Sequence, residues 1–97
     1  MRSLVLRRAA QREFDAAADW YERQRPGLGR EFIAEVDRAM AEIQAHGERY
    51  AIIHREFRTV FTRRFPYAIY YRVEPEQVVV LAVLHTSRDP AIWKRRR

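Results

Sequence analysis

The 97 residues contain no cysteine, three glycines, four prolines and no wholly apolar run longer than Val78–Leu84. Without cysteine there is no disulfide scaffold, no thiolate metal site and no cysteine nucleophile. The same lack suits a reducing compartment. Val78–Leu84 falls far short of the ~20 apolar residues that a membrane-spanning helix needs. The apolar triplet Leu4-Val5-Leu6 is followed at once by Arg7-Arg8, so no signal peptide is expected. The three histidines, His46, His54 and His85, lack metal-ligand spacing such as His-x-x-x-His, and no metal is expected. No glycine-rich phosphate loop and no Gly-x-Ser-x-Gly elbow is present, and no cofactor is expected. A cytoplasmic protein without a membrane segment is the expectation.

What is present fits one folded domain over residues 1–97, since two domains of this length would each lie near the lower limit for folding alone. The chain is 47% apolar and 33% charged, a composition of folded rather than disordered chains. Its net charge of +6 is uneven. Residues 1–48 hold 8 arginines and 9 acids, and residues 49–97 hold 11 lysines or arginines and 4 acids. A basic half ending in the tail Lys94-Arg95-Arg96-Arg97 points to a polyanionic or acidic partner.

Periodicity gives the elements. Residues 2–7 read as a short strand, with Leu4 and Leu6 on one face. Residues 9–23 read as a helix, because Phe14, Ala17, Ala18 and Tyr21 fall at i, i+3, i+4 and i+7. Arg25-Pro26-Gly27-Leu28-Gly29 breaks it, with Gly27 and Gly29 read as turn residues. A second helix over 28–46 carries Phe32, Val36, Ala39, Met40 and Ile43, with Gly47 as its expected C-terminal cap. The two make a helical hairpin. The period then alternates: Phe57, Thr59 and Phe61 against Arg58, Val60 and Thr62. Tyr67–Val73 is rich in strand formers. Glu74-Pro75-Glu76 turns the chain into Gln77–Leu84, which reads as a central strand covered on both faces. Asp89 and Pro90 open a short terminal helix. The predicted class is α+β, in the order β-α-α-β-β-β: a small, mainly antiparallel sheet with the helical hairpin on one face. The other face is expected to be largely open.

Four stretches carry a family resemblance. They are Ala18-Asp19-Trp20-Tyr21-Glu22; Pro26-Gly27-Leu28-Gly29 with Phe32; Phe65-Pro66-Tyr67 with Ile69 and Tyr71; and His85, Arg88, Pro90 and Trp93. In this order and spacing the chain resembles the RelE/ParE superfamily of toxins from type II toxin–antitoxin systems, over nearly its whole length. The resemblance implies a small basic cytoplasmic toxin of a plasmid-stabilisation-like system, neutralised by a cognate antitoxin whose C-terminal region wraps around it. It implies one of two targets. RelE-like members enter the ribosome and cleave mRNA; ParE-like members poison DNA gyrase and are not known as nucleases.

RNA cleavage without a metal needs a base, an acid and cations for the phosphorane. Arg58, Arg63, Arg64, Arg72 and Arg88 supply cations, and these five are the candidate surface for a target or nucleic acid. His85 suits acid–base work. His85, Arg88 and Arg64 are therefore the candidate catalytic set if the chain is a nuclease. Two departures from RelE-like sequences oppose that reading. Ala68 stands in Tyr67-Ala68-Ile69 where an arginine is usual, and Trp93 stands near the C-terminus where a tyrosine or histidine is usual. The ParE-like reading is favoured, because it needs only a shaped and charged surface. A non-toxic antitoxin-binding module and a tail-driven nucleic-acid binder are the remaining alternatives.

Plainer roles are open for the same residues. Trp20 and Tyr21 are expected to anchor the hairpin to the sheet. Phe65-Pro66-Tyr67 starts a strand fixed by its proline. His46 ends a helix, and His54 sits in a loop with no partner in view. Arg88 is either exposed in a functional loop or paired with a carboxylate near Asp89 or on the first helix. Arg58 and Arg64 are read as alternating onto one strand face, lining the open sheet surface or simply solvated.

Overall fold

The computed structural model describes residues 2–97. Strand β1 (Ser3–Leu6) leads into helix α1 (Arg8–Gln24) and helix α2 (Leu28–His46). A 3-10 turn (Gly47–Arg49) follows, then β2 (Ile52–His54), β3 (Phe57–Phe61), β4 (Tyr67–Val73), β5 (Gln77–His85) and the short α3 (Ala91–Lys94). The sheet order is β1-β5-β4-β3-β2, with β1 parallel to β5 and every other pairing antiparallel.

The α+β architecture is the predicted one, with one strand more. β2 is three residues long, and the turn after it places Arg55 at φ 53°. The left-handed region normally calls for Gly or Asn, so the turn carries no readable hairpin signal.

The two helices meet at a reversal built on Gly27, at φ 89°. No side chain of the α2 N-cap residue supplies a hydrogen bond. The last turn of α1 supplies it instead: the Glu22 carboxylate accepts from the N–H of Gly27 (2.9 Å) and of Gly29 (3.0 Å). This satisfies two of the orphan donors at the start of α2. Gly29 is not a turn residue as predicted. It lies in the first turn of α2, where a Cβ would stand 2.6 Å from the Ala18 carbonyl oxygen. Its role is close helix–helix approach. Gly47 is the C-cap of α2 as expected, but in the right-handed conformation, with φ at −58°, and a Cβ there would meet the Tyr71 ring at 3.1 Å. The buried Tyr71 hydroxyl donates to the Gly47 carbonyl at 2.7 Å.

Between sheet and hairpin lies the larger core. Phe32, Val36, Met40 and Ile43 of α2 and Ala10, Ala17 and Ala18 of α1 pack on Val60, Ile69, Tyr71, Val78, Val80 and Val83. Strand β5 feeds both faces because of a bulge. Tyr70 pairs with Ala82 and Tyr71 with Val80, which leaves Leu81 as an extra residue. Val80 and Val83 therefore face the hairpin, while Leu81 and Ala82 both turn to the other side.

That other side is not the open face expected. Trp93 of α3 lies on Phe57, Val79, Leu81, Ala82 and Leu84, stacked on Tyr70 at 4.3 Å. Burying an indole removes on the order of 150–250 Å² from water, worth about 4–6 kcal/mol before the entropy of ordering the tail. The tail is also tied by charge. Arg96 reaches the Glu13 carboxylate at 2.6 and 2.9 Å and the Leu81 carbonyl at 3.0 Å.

Candidate functional site

The chain end of β5 places His85 and the following loop beside α1. A hollow of about 270 Å³ opens there, lined by Glu13, Ala16, Ala17, Trp20, Tyr67, Val83, Leu84, His85 and Arg88. The sequence reading named His85 and Arg88, and the structure brings them together.

His85 is the last residue of β5. Its Nδ1 accepts the Ser87 N–H at 3.0 Å and lies 2.8 Å from the Ser87 hydroxyl. A neutral ring held this way carries its proton on Nε2. Its ring meets that of Tyr67 edge-on at 5.5 Å. Burial pushes the Tyr67 hydroxyl pKa up, its neighbour Tyr21 adds to this, and the Arg88 charge pulls the other way. Arg88 forms no ion pair among the described residues. The carboxylate of α1 that lines the hollow, Glu13, is already engaged by Arg96 and by the Val83 N–H at 3.0 Å.

The other candidate arginines are dispersed. Arg58 sits on the hairpin side of β3 and donates to the Tyr50 carbonyl and, at 3.2 Å, to that of Glu48, so it fastens the 3-10 turn instead of lining an open face. Arg64 is not on a strand. It lies in the turn before β4, pairs with Glu31 of α2 at 2.8 Å and covers the Phe65 ring at 5.0 Å. Its neighbour Arg63 donates its backbone N–H to Glu35 and lines a groove between α2 and β3. Arg72 pairs with Glu74 at 2.8 Å. Arg63, Arg72 and Arg88 border three different hollows.

Two further residues differ from expectation. Trp20 does not anchor the hairpin; it is 51% exposed at the hollow, while Tyr21 makes the aromatic contacts with Phe32 (5.0 Å) and Phe65 (4.8 Å). His54 has partners after all, with its ring 5.8 Å from Trp93 and 6.1 Å from Phe57. The role of Trp20 has a signal in the sequence. Glu13, Ala16, Ala17 and Trp20 form a helical stripe that overlaps the core stripe at the buried Ala17 and runs out to the exposed Trp20. A stripe that mixes an acid, alanines and an indole marks a face that leaves the core for the edge of β5.

The two positions that depart from the RelE-like pattern are both buried. Ala68 is fully buried within β4, in register with Phe61 and Leu84. Trp93 is buried as well and has no group that transfers a proton. Among the described residues no cluster of histidine and acid side chains is arranged to hold a metal ion, and no helix is long and apolar enough to cross a membrane.

A family model described as the ParE toxin of type II toxin–antitoxin system, parDE, matches residues 4–90. The chain belongs to that toxin family. A search of curated proteins finds no match. Among solved structures, the fold is shared with a chain of the chromosomal ParDE toxin–antitoxin system from P. aeruginosa, at 21% identity and a TM-score of 0.77, over 88% of this chain and 96% of that one.

Proposed function

We propose that this toxin acts in the cytoplasm as one domain, is neutralised by a cognate antitoxin, and arrests growth by engaging DNA gyrase. The observation that carries the reading is the fate of the would-be catalytic positions. Buried Ala68 and stacked Trp93 stand where RelE-like members carry an arginine and a terminal tyrosine or histidine, and Arg64, the third of the candidate set, is tied to Glu31. Arrest by binding needs no such group. It needs an exposed, donor-rich surface, and the His85–Arg88 hollow is one.

The test is induction of the chain alone in bacteria, with methionine and thymidine incorporation followed in parallel. DNA synthesis should stop first, and the purified protein should inhibit supercoiling by gyrase. If protein synthesis stops first, with cleaved mRNA, the chain is a ribosome-dependent endoribonuclease and the proposal is wrong. Unimpaired growth with tight antitoxin binding identifies a non-toxic binding module and equally refutes it.

A further inference from the structure

On the sheet face that α3 occupies, an open hollow of about 450 Å³ runs from the turn between β2 and β3, across β4, to the tail after α3. Arg55, Arg72, Arg96 and Arg97 line it, with two acids, Glu56 and Glu74. Its cations are of two kinds. Arg72 is held by Glu74 at 2.8 Å, and Gln77 donates to the same carboxylate at 2.7 Å. Arg96 is held by Glu13. Arg55 and Arg97 are exposed and form no ion pair among the described residues, and the same holds for the adjacent Lys94 and Arg95. Against these four stands one acid of the lining outside an ion pair, Glu56. Arg55 is singled out by its backbone as well. Its φ of 53° favours Gly or Asn, yet an arginine occupies the position and gives its charge to nothing in the fold. The tail cations are not loose. Trp93 stacks on Tyr70, and Arg96 binds Glu13 and the Leu81 carbonyl, so the tail is already ordered against the sheet before any ligand arrives.

We infer that this surface binds the phosphate backbone of duplex DNA without reading its sequence. The contact goes beyond the gyrase reading and does not depend on it: it gives the chain a hold on DNA that passes through no protein partner. Guanidinium forks match phosphate oxygens in both geometry and charge. Cations spread from the turn before β3 to the tail suit a ligand whose charge repeats along its length. A protein partner would need an apolar centre to bury. The lining offers none, since its large apolar side chain, Phe57, is 3% exposed. A single strand would need exposed rings on which its bases could stack. The ring in this lining is Phe57, which packs on the buried Trp93 at 6.0 Å. A second copy of this chain, itself carrying +6, would bring like charge to a basic surface.

The experiment is fluorescence anisotropy of a labelled mixed-sequence duplex of ~20 base pairs, titrated with the purified toxin at salt from about 50 to 200 mM. Affinity should fall roughly a hundredfold over that range, as it does when about four cations each meet a phosphate. Arg55→Gly removes one cation and suits the backbone there; Arg97→Ala removes another. Each should weaken binding severalfold and flatten the slope of log affinity against log salt by about 1. Arg23→Ala removes the same charge from the exposed side of α1 and should leave the slope unchanged. A duplex of shuffled sequence should bind equally well. DNA binding is refuted if the wild-type chain leaves the duplex free at about 50 mM salt. It is equally refuted if neither Arg55→Gly nor Arg97→Ala flattens the slope, or if Arg23→Ala flattens it as much. A single strand that binds more tightly than the duplex overturns the assignment to a duplex. Poly-glutamate that competes as well as DNA at equal charge marks a surface for acidic protein and overturns it too. None of these outcomes bears on the gyrase reading, which stands or falls on the incorporation and supercoiling assays.

Discussion

Adding one methyl group at Gly29 should loosen the helical hairpin, and the cost can be worked from the contact. The new Cβ would lie 2.6 Å from the Ala18 carbonyl oxygen and 3.0 Å from both Cβ and Oε1 of Glu22. The nearest neighbour is backbone in the middle of α1, so it cannot swing aside. The helices must part, and the Glu22 carboxylate must leave the N–H groups of Gly27 and Gly29 or strain to keep them. Overpacking of this kind costs about 1–3 kcal/mol. Alanine returns up to about 1 kcal/mol through its helix propensity, less in a first turn. The net expectation for Gly29→Ala is a loss of about 2 kcal/mol, which lowers the melting temperature of a domain this size by about 8–16 °C. Gly27→Ala is the control. Nothing lies within 4 Å of its Cβ, and only the φ of 89° opposes it, at about 1–2 kcal/mol. Far-ultraviolet circular dichroism melts of both variants decide. A Gly29→Ala protein that melts at or above the wild-type temperature would refute the close-approach argument.

Two further outcomes are expected. Tyr71→Phe keeps the buried ring and strands the Gly47 carbonyl, so urea denaturation should show a loss of about 1–3 kcal/mol; a change below about 0.5 kcal/mol would mean water replaces the hydroxyl. Burial pushes the Tyr71 pKa up to about 12, so the wild-type bond persists through any neutral or mildly alkaline buffer. Acid should destabilise the fold through carboxylates held below their ordinary value of 4.5: Glu22 by the backbone N–H groups of Gly27 and Gly29, Glu31 by Arg64, Glu35 by the N–H groups of Arg64 and Arg63, and Glu74 by Gln77. The sign follows from proton uptake. Below about pH 4.5 the unfolded chain binds more protons than the native one, so stability present above that pH is lost as pH falls through the native values. The urea midpoint should therefore drop between pH 5 and pH 3, and less steeply in Glu35→Gln. An equal slope in that variant would show that Glu35 contributes nothing to acid sensitivity.

What the sequence reveals here divides by the range of the interaction that fixes each residue. Both helices are legible because their stripes are set by local geometry: α2 spans the residues that Phe32, Val36, Met40 and Ile43 predict. Strand β5 is legible because seven consecutive buried residues need cover on both faces. The cover itself is not legible. It comes from Trp93, held over the sheet by a stack on Tyr70 and by Arg96 on Glu13, 83 residues away. β2 escapes notice because three residues carry no period and Arg55 occupies the turn. The same division runs through the site. His85 and Arg88 stand out locally, at the end of a strand and in a polar loop. Arg58 and Arg64 look identical to Arg88 in a sequence, yet carbonyls at Glu48 and Tyr50 occupy the one and Glu31 the other. Only a folded chain separates an arginine that holds the structure together from one that has its charge to give. Exposure at Trp20 follows the same logic. The indole sits at the exposed end of a stripe that leaves the core, opposite the stretch of β5 that β1 is too short to cover, and neither the stripe nor the missing strand means anything without the other.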